Sequence, residues 1–259
     1  MSGRIEYKYL APVTALDAIR ADIMPFLVPD PFSESKMGGE YSVRSVYYDT
    51  PHFACYLEKE SGVQIRNKFR IRGYGTVQPD SVVFLEIKKR CDCVIAKNRA
   101  PLLLKDLPAF LAAPDIERYI LGGRGASRSR EDARRFLYYY YRMSLRPAAH
   151  VVYDREAFSG KYNSSLRVTF DKRLRGCLAP QLSQLHDEGH LVPVMKRFFI
   201  FELKFFRRSL PQWASEIILR YQLPRMALSK YTLCMDLRDV RPRVHKPSNS
   251  LSASVGSLA

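Results

Sequence analysis

Val63-Gln64-Ile65-Arg66-Asn67-Lys68-Phe69-Arg70-Ile71-Arg72-Gly73-Tyr74 is the stretch from which the rest of the chain can be read. Ile65, Phe69 and Ile71 hold odd positions, while Gln64, Arg66, Lys68, Arg70 and Arg72 hold even ones. A period of two places alternate side chains on opposite faces of a β-strand. Up to four cations therefore share one face, with apolar residues on the other. Like charges about 7 Å apart repel by roughly 2 kcal/mol per pair at an effective dielectric near 20. A solvated face ordinarily interleaves acids to relieve that repulsion. This one has none, so the face is expected to meet an anion.

Neighbouring stretches repeat the parity with acids added. Arg4, Glu6 and Lys8 oppose Ile5, Tyr7 and Tyr9; Phe84, Glu86, Lys88 and Arg90 oppose Val83, Leu85 and Ile87. Phe198, Ile200, Glu202 and Lys204 oppose Phe199, Phe201, Leu203 and Phe205. Tyr153 and Arg155 share a face of one further strand, and Arg167, Thr169 and Asp171 share a face of another. The pattern Glu-x-Lys thus recurs at Glu6-Tyr7-Lys8, Glu86-Ile87-Lys88 and Glu202-Leu203-Lys204. One such pair alone is ordinarily a solvated ion pair. Three in separate strands predict charged faces converging on a polar lumen, and barrels of about eight strands can enclose a single ligand. Arg forks and Lys point charges suit phosphate oxygens, and Glu suits Mg²⁺ or Mn²⁺. Arg66 and Lys68 stand at a strand end, and the pattern leaves open whether they reach the lumen.

Further strands are predicted over residues 41–49, 81–90, 92–99, 147–158, 165–175 and 193–206. Helices are predicted over 12–27, 104–122, from the capping-box-like Ser129-Arg130-Glu131-Asp132 to Met143, over 210–221, and from Ser229. Ser33 to Glu40 reads as a loop. The fold class is α+β, an antiparallel β-barrel or tunnel of about eight strands with flanking helices. Residues 1–240 are expected to form one domain, with 241–259 a disordered, basic, Ser-rich tail.

The chain has 259 residues, 42 Lys plus Arg against 26 Asp plus Glu, and a formal net charge of +16. Such a body repels itself unless it meets nucleic acid, an acidic membrane or a polyphosphorylated ligand. No RNA-recognition signature, zinc finger or helix-turn-helix is present, which disfavours nucleic acid; peripheral membrane contact stays open. Apolar runs are too short for a transmembrane helix, the N-terminus lacks a signal sequence, and five scattered cysteines fit a reducing cytosol, so a cytoplasmic location is expected. Cys91-Asp92-Cys93 has no accompanying ligand pair for zinc, and His52, His150, His186 and His190 are not spaced as a ligand set. Gly122-Gly123-Arg124-Gly125 lacks the Gly-Lys-Ser/Thr of a P-loop.

A set of short motifs carries a family resemblance. They are Glu6-Tyr7-Lys8-Tyr9, Ser45-Val46-Tyr47-Tyr48-Asp49-Thr50, Lys68-Phe69-Arg70-Ile71-Arg72-Gly73-Tyr74-Gly75 and Phe84-Leu85-Glu86-Ile87-Lys88, then Tyr153-Asp154-Arg155-Glu156-Ala157-Phe158, Leu166-Arg167-Val168-Thr169-Phe170-Asp171, Phe201-Glu202-Leu203-Lys204 and Ser229-Lys230-Tyr231. In this order the sequence resembles the VTC (vacuolar transporter chaperone) polyphosphate polymerase domain of the triphosphate tunnel metalloenzyme superfamily. The resemblance implies a stand-alone, bacterial version. It would transfer the ATP γ-phosphate onto inorganic polyphosphate, releasing ADP, with Mn²⁺ or Mg²⁺ and with pyrophosphate as a conceivable primer.

By matching position, Arg70, Arg72, Lys88, Arg155, Arg167 and Lys230 are the implied catalytic cations. Lys8, Lys97, Arg99, Lys204 and Glu86 are the implied substrate-binding residues, and Glu202 the implied metal ligand. Arg4 stands where the wider superfamily commonly carries the first Glu of Glu-x-Glu-x-Lys, which favours the polymerase branch. A tripolyphosphatase or nucleoside triphosphatase of the same superfamily, and a non-catalytic binder of polyphosphate or inositol phosphates, are the alternatives.

Overall fold

The computed structural model describes residues 5–34, 37–91, 94–123, 125–163, 165–206 and 210–240. The expected disordered tail, Arg4, Asp92, Cys93 and Arg124 lie outside these residues. The chain runs β1 (Ile5–Pro12), α1 (Leu16–Ile23), β2 (Leu27–Pro29), α2 (Pro31–Glu34), β3 (Glu40–Asp49) and α3 (Ala54–Glu60). β4 (Ile65–Tyr74), β5 (Val82–Cys91) and β6 (Val94–Leu103) follow, then α4 (Leu107–Ala112), α5 (Ile116–Tyr119) and α6 (Ala126–Arg142). The last elements are β7 (Arg146–Gly160), β8 (Arg167–Leu178), β9 (Val192–Pro193), β10 (Phe198–Phe205), α7 (Gln212–Arg220) and α8 (Lys230–Met235).

Eight strands pair antiparallel in the order β1-β10-β8-β7-β3-β4-β5-β6, and the short β2 and β9 pair with β7 and β8. The expected antiparallel sheet with flanking helices is thus present, but it is not a closed barrel: among the described residues no backbone pairing joins the edge strands β1 and β6. The sheet curls instead, and side chains bridge the gap. Lys88 Nζ on β5 lies 3.2 Å from Glu6 Oε1 on β1.

Parity sets which residues face out. Phe199, Phe201 and Leu203 pack against Ile19 and Ile23 of α1 and Ala214 and Ile217 of α7. Phe69, Ile71, Leu85 and Ile87 pack against Phe110 of α4 and Phe136 of α6. Burying each such side chain stabilises the fold by about 1.5–3 kcal/mol, and this holds the charged faces inward. On the concave side α8 fills one part of the interior, where Tyr231, Cys234 and Met235 meet Tyr47, Val151 and Tyr153.

Helix boundaries depart from the sequence pattern where proline and glycine act. The helix expected over 12–27 covers only Leu16–Ile23, because extended Pro12 (φ −66, ψ 140) still belongs to β1. The one expected over 104–122 is split into α4 and α5, with Asp115 capping the Arg118 N–H at 3.0 Å. The helix expected from Ser129 starts at Ala126, because Gly125 at φ 91 makes the sharp turn into it. No helix among the described residues is long and apolar enough to cross a membrane.

Candidate functional site

The concave face holds an open cavity of about 680 Å³. Among the described residues its lining includes twelve basic side chains and two carboxylates, Glu6 and Glu202. The strand registers explain the arrangement. β1 and β10 run antiparallel with Lys8 opposite Glu202 and Glu6 opposite Lys204, so the two Glu-x-Lys motifs form a checkerboard of alternating charge. Lys8 Nζ lies 2.9 Å from Glu6 and 3.8 Å from Glu202, and Lys204 Nζ lies 2.7 Å from Glu202. Thr169 on β8, directly opposite Glu202, donates its hydroxyl to the same carboxylate at 3.3 Å.

Across the lumen β4 supplies the arginines. Arg70 binds Glu86 Oε2 through Nε at 2.7 Å and donates to the Tyr47 hydroxyl at 2.9 Å. Arg72 donates to the Ser45 hydroxyl and the Tyr153 hydroxyl, both at 3.2 Å. On β7 Arg155 grips Asp171 with two bonds of 2.6 and 2.8 Å, and its NH2 lies 3.6 Å from Glu202. Lys230, at the start of α8, reaches the same Asp171 at 2.5 Å. These guanidinium and ammonium groups are held in place before any ligand arrives, which lowers the entropic cost of gripping one.

Eight of the twelve residues singled out from the sequence line the cavity: Lys8, Arg70, Arg72, Lys88, Arg155, Glu202, Lys204 and Lys230. The other four do not. Glu86 is 1% exposed and lies under the wall, where it holds Arg70 together with Lys97 at 2.6 Å and Arg99 at 3.2 Å. Its carboxylate is surrounded by these cations and is not part of the cavity lining. Lys97 and Arg99 stay on Glu86, and the Arg99 guanidinium also stacks 3.4 Å over the Phe84 ring centroid. Arg167 is opposite Lys204 in register but turns to Asp30 at 3.2 Å.

Conversely, Arg66 and Lys68 both line the cavity, with Tyr47, Tyr153 and Arg225. Parity puts both on the face of Arg70 and Arg72, and the cavity extends far enough along β4 to reach them. Glu6 was visible in its Glu-x-Lys motif but not singled out as a ligand. Parity with Arg155 marks Tyr153 in the sequence, whereas Tyr47 is carried only by its family-like motif.

The charge balance is lopsided. Lys68 donates to the Ser229 hydroxyl and has no carboxylate within ion-pair distance among the described residues. Burial, followed by the charges of Lys8 and Lys88, holds it well below the usual lysine range. Burial also pushes Lys88 down to about 8; Glu6 pulls the other way, and Lys8 adds to the depression. The acids are firmly ionised. Burial raises Glu202, but Lys204 and Lys8 outweigh it and hold the carboxyl well below its ordinary value. Asp171 is likewise brought to about 2 by Arg155 and Lys230 against its burial. Burial disfavours the charge of Lys68 and Lys88 while two carboxylates face twelve cations, so an anion of several charges would be favoured in this cavity.

Glu6 and Glu202 also supply the donor type for a hard divalent cation. Mg²⁺ and Mn²⁺ take oxygen ligands, and Mg²⁺ is ordinarily held by one or two protein carboxylates completed by substrate phosphates and water. Two ionised carboxylates on adjacent strands, facing the same lumen as the cations, fit that description.

Residues 3–238 match the family model described as "VTC domain", covering nearly the whole chain. No curated protein matches the chain significantly.

Proposed function

Because the chain belongs to the VTC-domain family, a family associated with polyphosphate polymerase activity, we propose that it is an ATP-dependent polyphosphate polymerase. The observation that carries this reading is the concave cavity lined by twelve cations against two carboxylates among the described residues. A single phosphate would leave most of that charge unmet. A nucleoside triphosphate beside the end of a polyphosphate chain would meet it.

In the proposed reaction a terminal oxygen of polyphosphate attacks the γ-phosphorus of ATP. The bond from that phosphorus to the β–γ bridging oxygen breaks, and ADP leaves with the electron pair. The acceptor oxygen is already anionic, so no strong general base is required. Catalysis then rests on positioning and on charge stabilisation. Arg70 and Arg72, held by Glu86 and the Tyr47 and Tyr153 hydroxyls, bind the triphosphate from the β4 side. Arg155 and Lys230, braced on Asp171, bind it from the β7 and α8 side. Lys8, Lys88 and Lys204 neutralise charge that moves to the leaving oxygen. Glu6 and Glu202 would hold the divalent cation, which when bound adds positive charge on the phosphate oxygens.

The test is incubation of the purified chain with ATP and Mn²⁺, resolving ADP, orthophosphate and long-chain polyphosphate. ADP with polymer and little orthophosphate is expected, and Arg70→Ala abolishes it. Orthophosphate without polymer would instead assign a triphosphatase, and tight triphosphate binding without turnover a binding module. Glu202→Gln is expected to lower metal-dependent turnover by about 100-fold, since a metal supplies several kcal/mol of transition-state stabilisation. Triphosphate binding persists in that variant, because Lys8 and Lys204 lose their competing acid. Equal turnover in the variant and the parent would remove Glu202 from the metal site.

A further inference from the structure

Three ligand-type side chains lie together away from the phosphate cavity. His150 on β7 and Cys177 on β8 are direct cross-strand partners, so their side chains stand side by side on one face. His150 is also opposite Val46, which belongs to the core on the convex side of the sheet. His190 arrives from the turn before β9. The donor atoms of all three lie within 4.8 Å of one another.

We propose that His150, Cys177 and His190 form a zinc-binding site on the convex face of the sheet. Two imidazoles and a thiolate are a donor set suited to Zn²⁺ and unsuited to Mg²⁺ or Mn²⁺, which prefer oxygen. With Zn–N near 2.0–2.1 Å and Zn–S about 2.3 Å, tetrahedral ligand atoms stand roughly 3.3–3.6 Å apart. The three donors, within 4.8 Å of one another, would close to that spacing on binding, with water completing the fourth position.

Two further observations point to a ligand here. His150 is 0% exposed, and although the Leu185 backbone lies beside its ring, neither ring nitrogen makes a hydrogen bond of acceptable geometry. Buried polar atoms ordinarily find partners, and a metal is the partner this histidine lacks. Asp187 stands where it could support His190: its Oδ2 lies 3.4 Å from Nδ1, though the two do not form a hydrogen bond of acceptable geometry. A carboxylate behind an imidazole fixes the ring and raises its basicity in metal sites. The turn that presents His190 is anchored independently, because Glu188 pairs with Arg44 and with Arg175, each at 2.6 Å.

Binding forms a Zn–S bond at Cys177 and releases the thiol proton to solvent. The metal would pin the 187–191 turn to β7 and β8. Those strands form the wall whose other side carries α8 and, through it, Lys230.

The full chain is stripped with a chelator and titrated with ZnCl₂ in competition with a chromophoric chelator, and separately with CoCl₂. One Zn²⁺ per chain is expected, with a raised melting temperature that Mg²⁺ and Mn²⁺ do not reproduce. Co²⁺ should give a thiolate charge-transfer band that disappears in Cys177→Ser. His190→Ala and Cys177→Ser should each lose at least tenfold in zinc affinity. Asp187→Asn should lose about tenfold or more, as outer-shell partners do, and Glu202→Gln should change nothing. Absence of stoichiometric binding, or absence of the cobalt–thiolate band in the parent protein, overturns the proposal. So does unchanged affinity in the Cys177 and His190 variants. If both variants fail to fold, the cobalt spectrum of the parent still decides.

Discussion

Lys88 shows how one residue couples the fold to its ligand. Burial pushes its pKa down to about 8, with Glu6 opposing the depression and Lys8 adding to it. Above that pH the ammonium becomes a neutral amine and no longer attracts phosphate. A bound triphosphate favours the charged form, so its affinity depends on Lys88 being protonated. Between pH 7 and pH 9 the charged fraction of a group with that pKa falls about tenfold, and triphosphate affinity should fall by a similar factor. Calorimetry in buffers of different ionisation enthalpy should show proton uptake on binding near pH 8. Lys88→Arg keeps its charge throughout and should flatten the profile. An equally steep profile in that variant would move the titration to another group, with Lys68 next in line.

Among the elements, β8 departs furthest from a plain strand. Arg173 has φ 48, and the β7–β8 register shifts between Val152 and Asp154. The irregularity inverts parity: Asp171 faces the cavity with Arg155, whereas Gly176 meets α8 and Cys177 turns outward beside His150. Gly176 is needed for close approach, since a Cβ there would lie 2.5 Å from both Cys234 Sγ and the His150 carbonyl oxygen. Gly176→Ala should therefore destabilise the protein by about 1–3 kcal/mol through overpacking, read as a lowered denaturation midpoint. A variant as stable as the parent would mean that α8 is not seated against β8. This bulge also marks where the sequence stops being readable. Period-two alternation is local, so the inward faces of β1, β4, β5 and β10 follow from residues 4–8, 63–74, 83–90 and 198–205 alone. A bulge depends on the pairing partner, and nothing near Cys177 in the chain announces that it will stand beside His150 and His190. The occupation of the interior by α8 and the extent of the cavity as far as Arg66 and Lys68 are likewise long-range outcomes. The four residues that miss the cavity lining fail for a related reason: parity places Glu86, Lys97, Arg99 and Arg167 on the inward face, but their ion partners decide where each side chain ends.

For the whole molecule the unusual quantity is a net charge of +16 with so much of it turned inward. A protein with the same charge spread over its surface would be relieved by any salt through screening. A charged cavity of fixed geometry answers to ligand shape as well. Tripolyphosphate, present at about 100 times its dissociation constant, should add about 2.7 kcal/mol of stability. At roughly 2–4 °C per kcal/mol for a chain somewhat above 200 residues, the melting temperature should rise by about 5–10 °C. The rise should shrink as sodium chloride increases, because part of the attraction is screened. It should also exceed that given by sulfate or orthophosphate at matched ionic strength, since one tetrahedral anion offers fewer oxygens and less charge to the twelve cations of the lining. Combining Arg70→Ala with Arg155→Ala removes one anchor from each side of the lumen and should bring the tripolyphosphate effect down to the sulfate level. Equal stabilisation of the parent by all three anions at matched ionic strength would mean that the charge acts as a diffuse surface field, and the cavity would then have no claim to be the binding site.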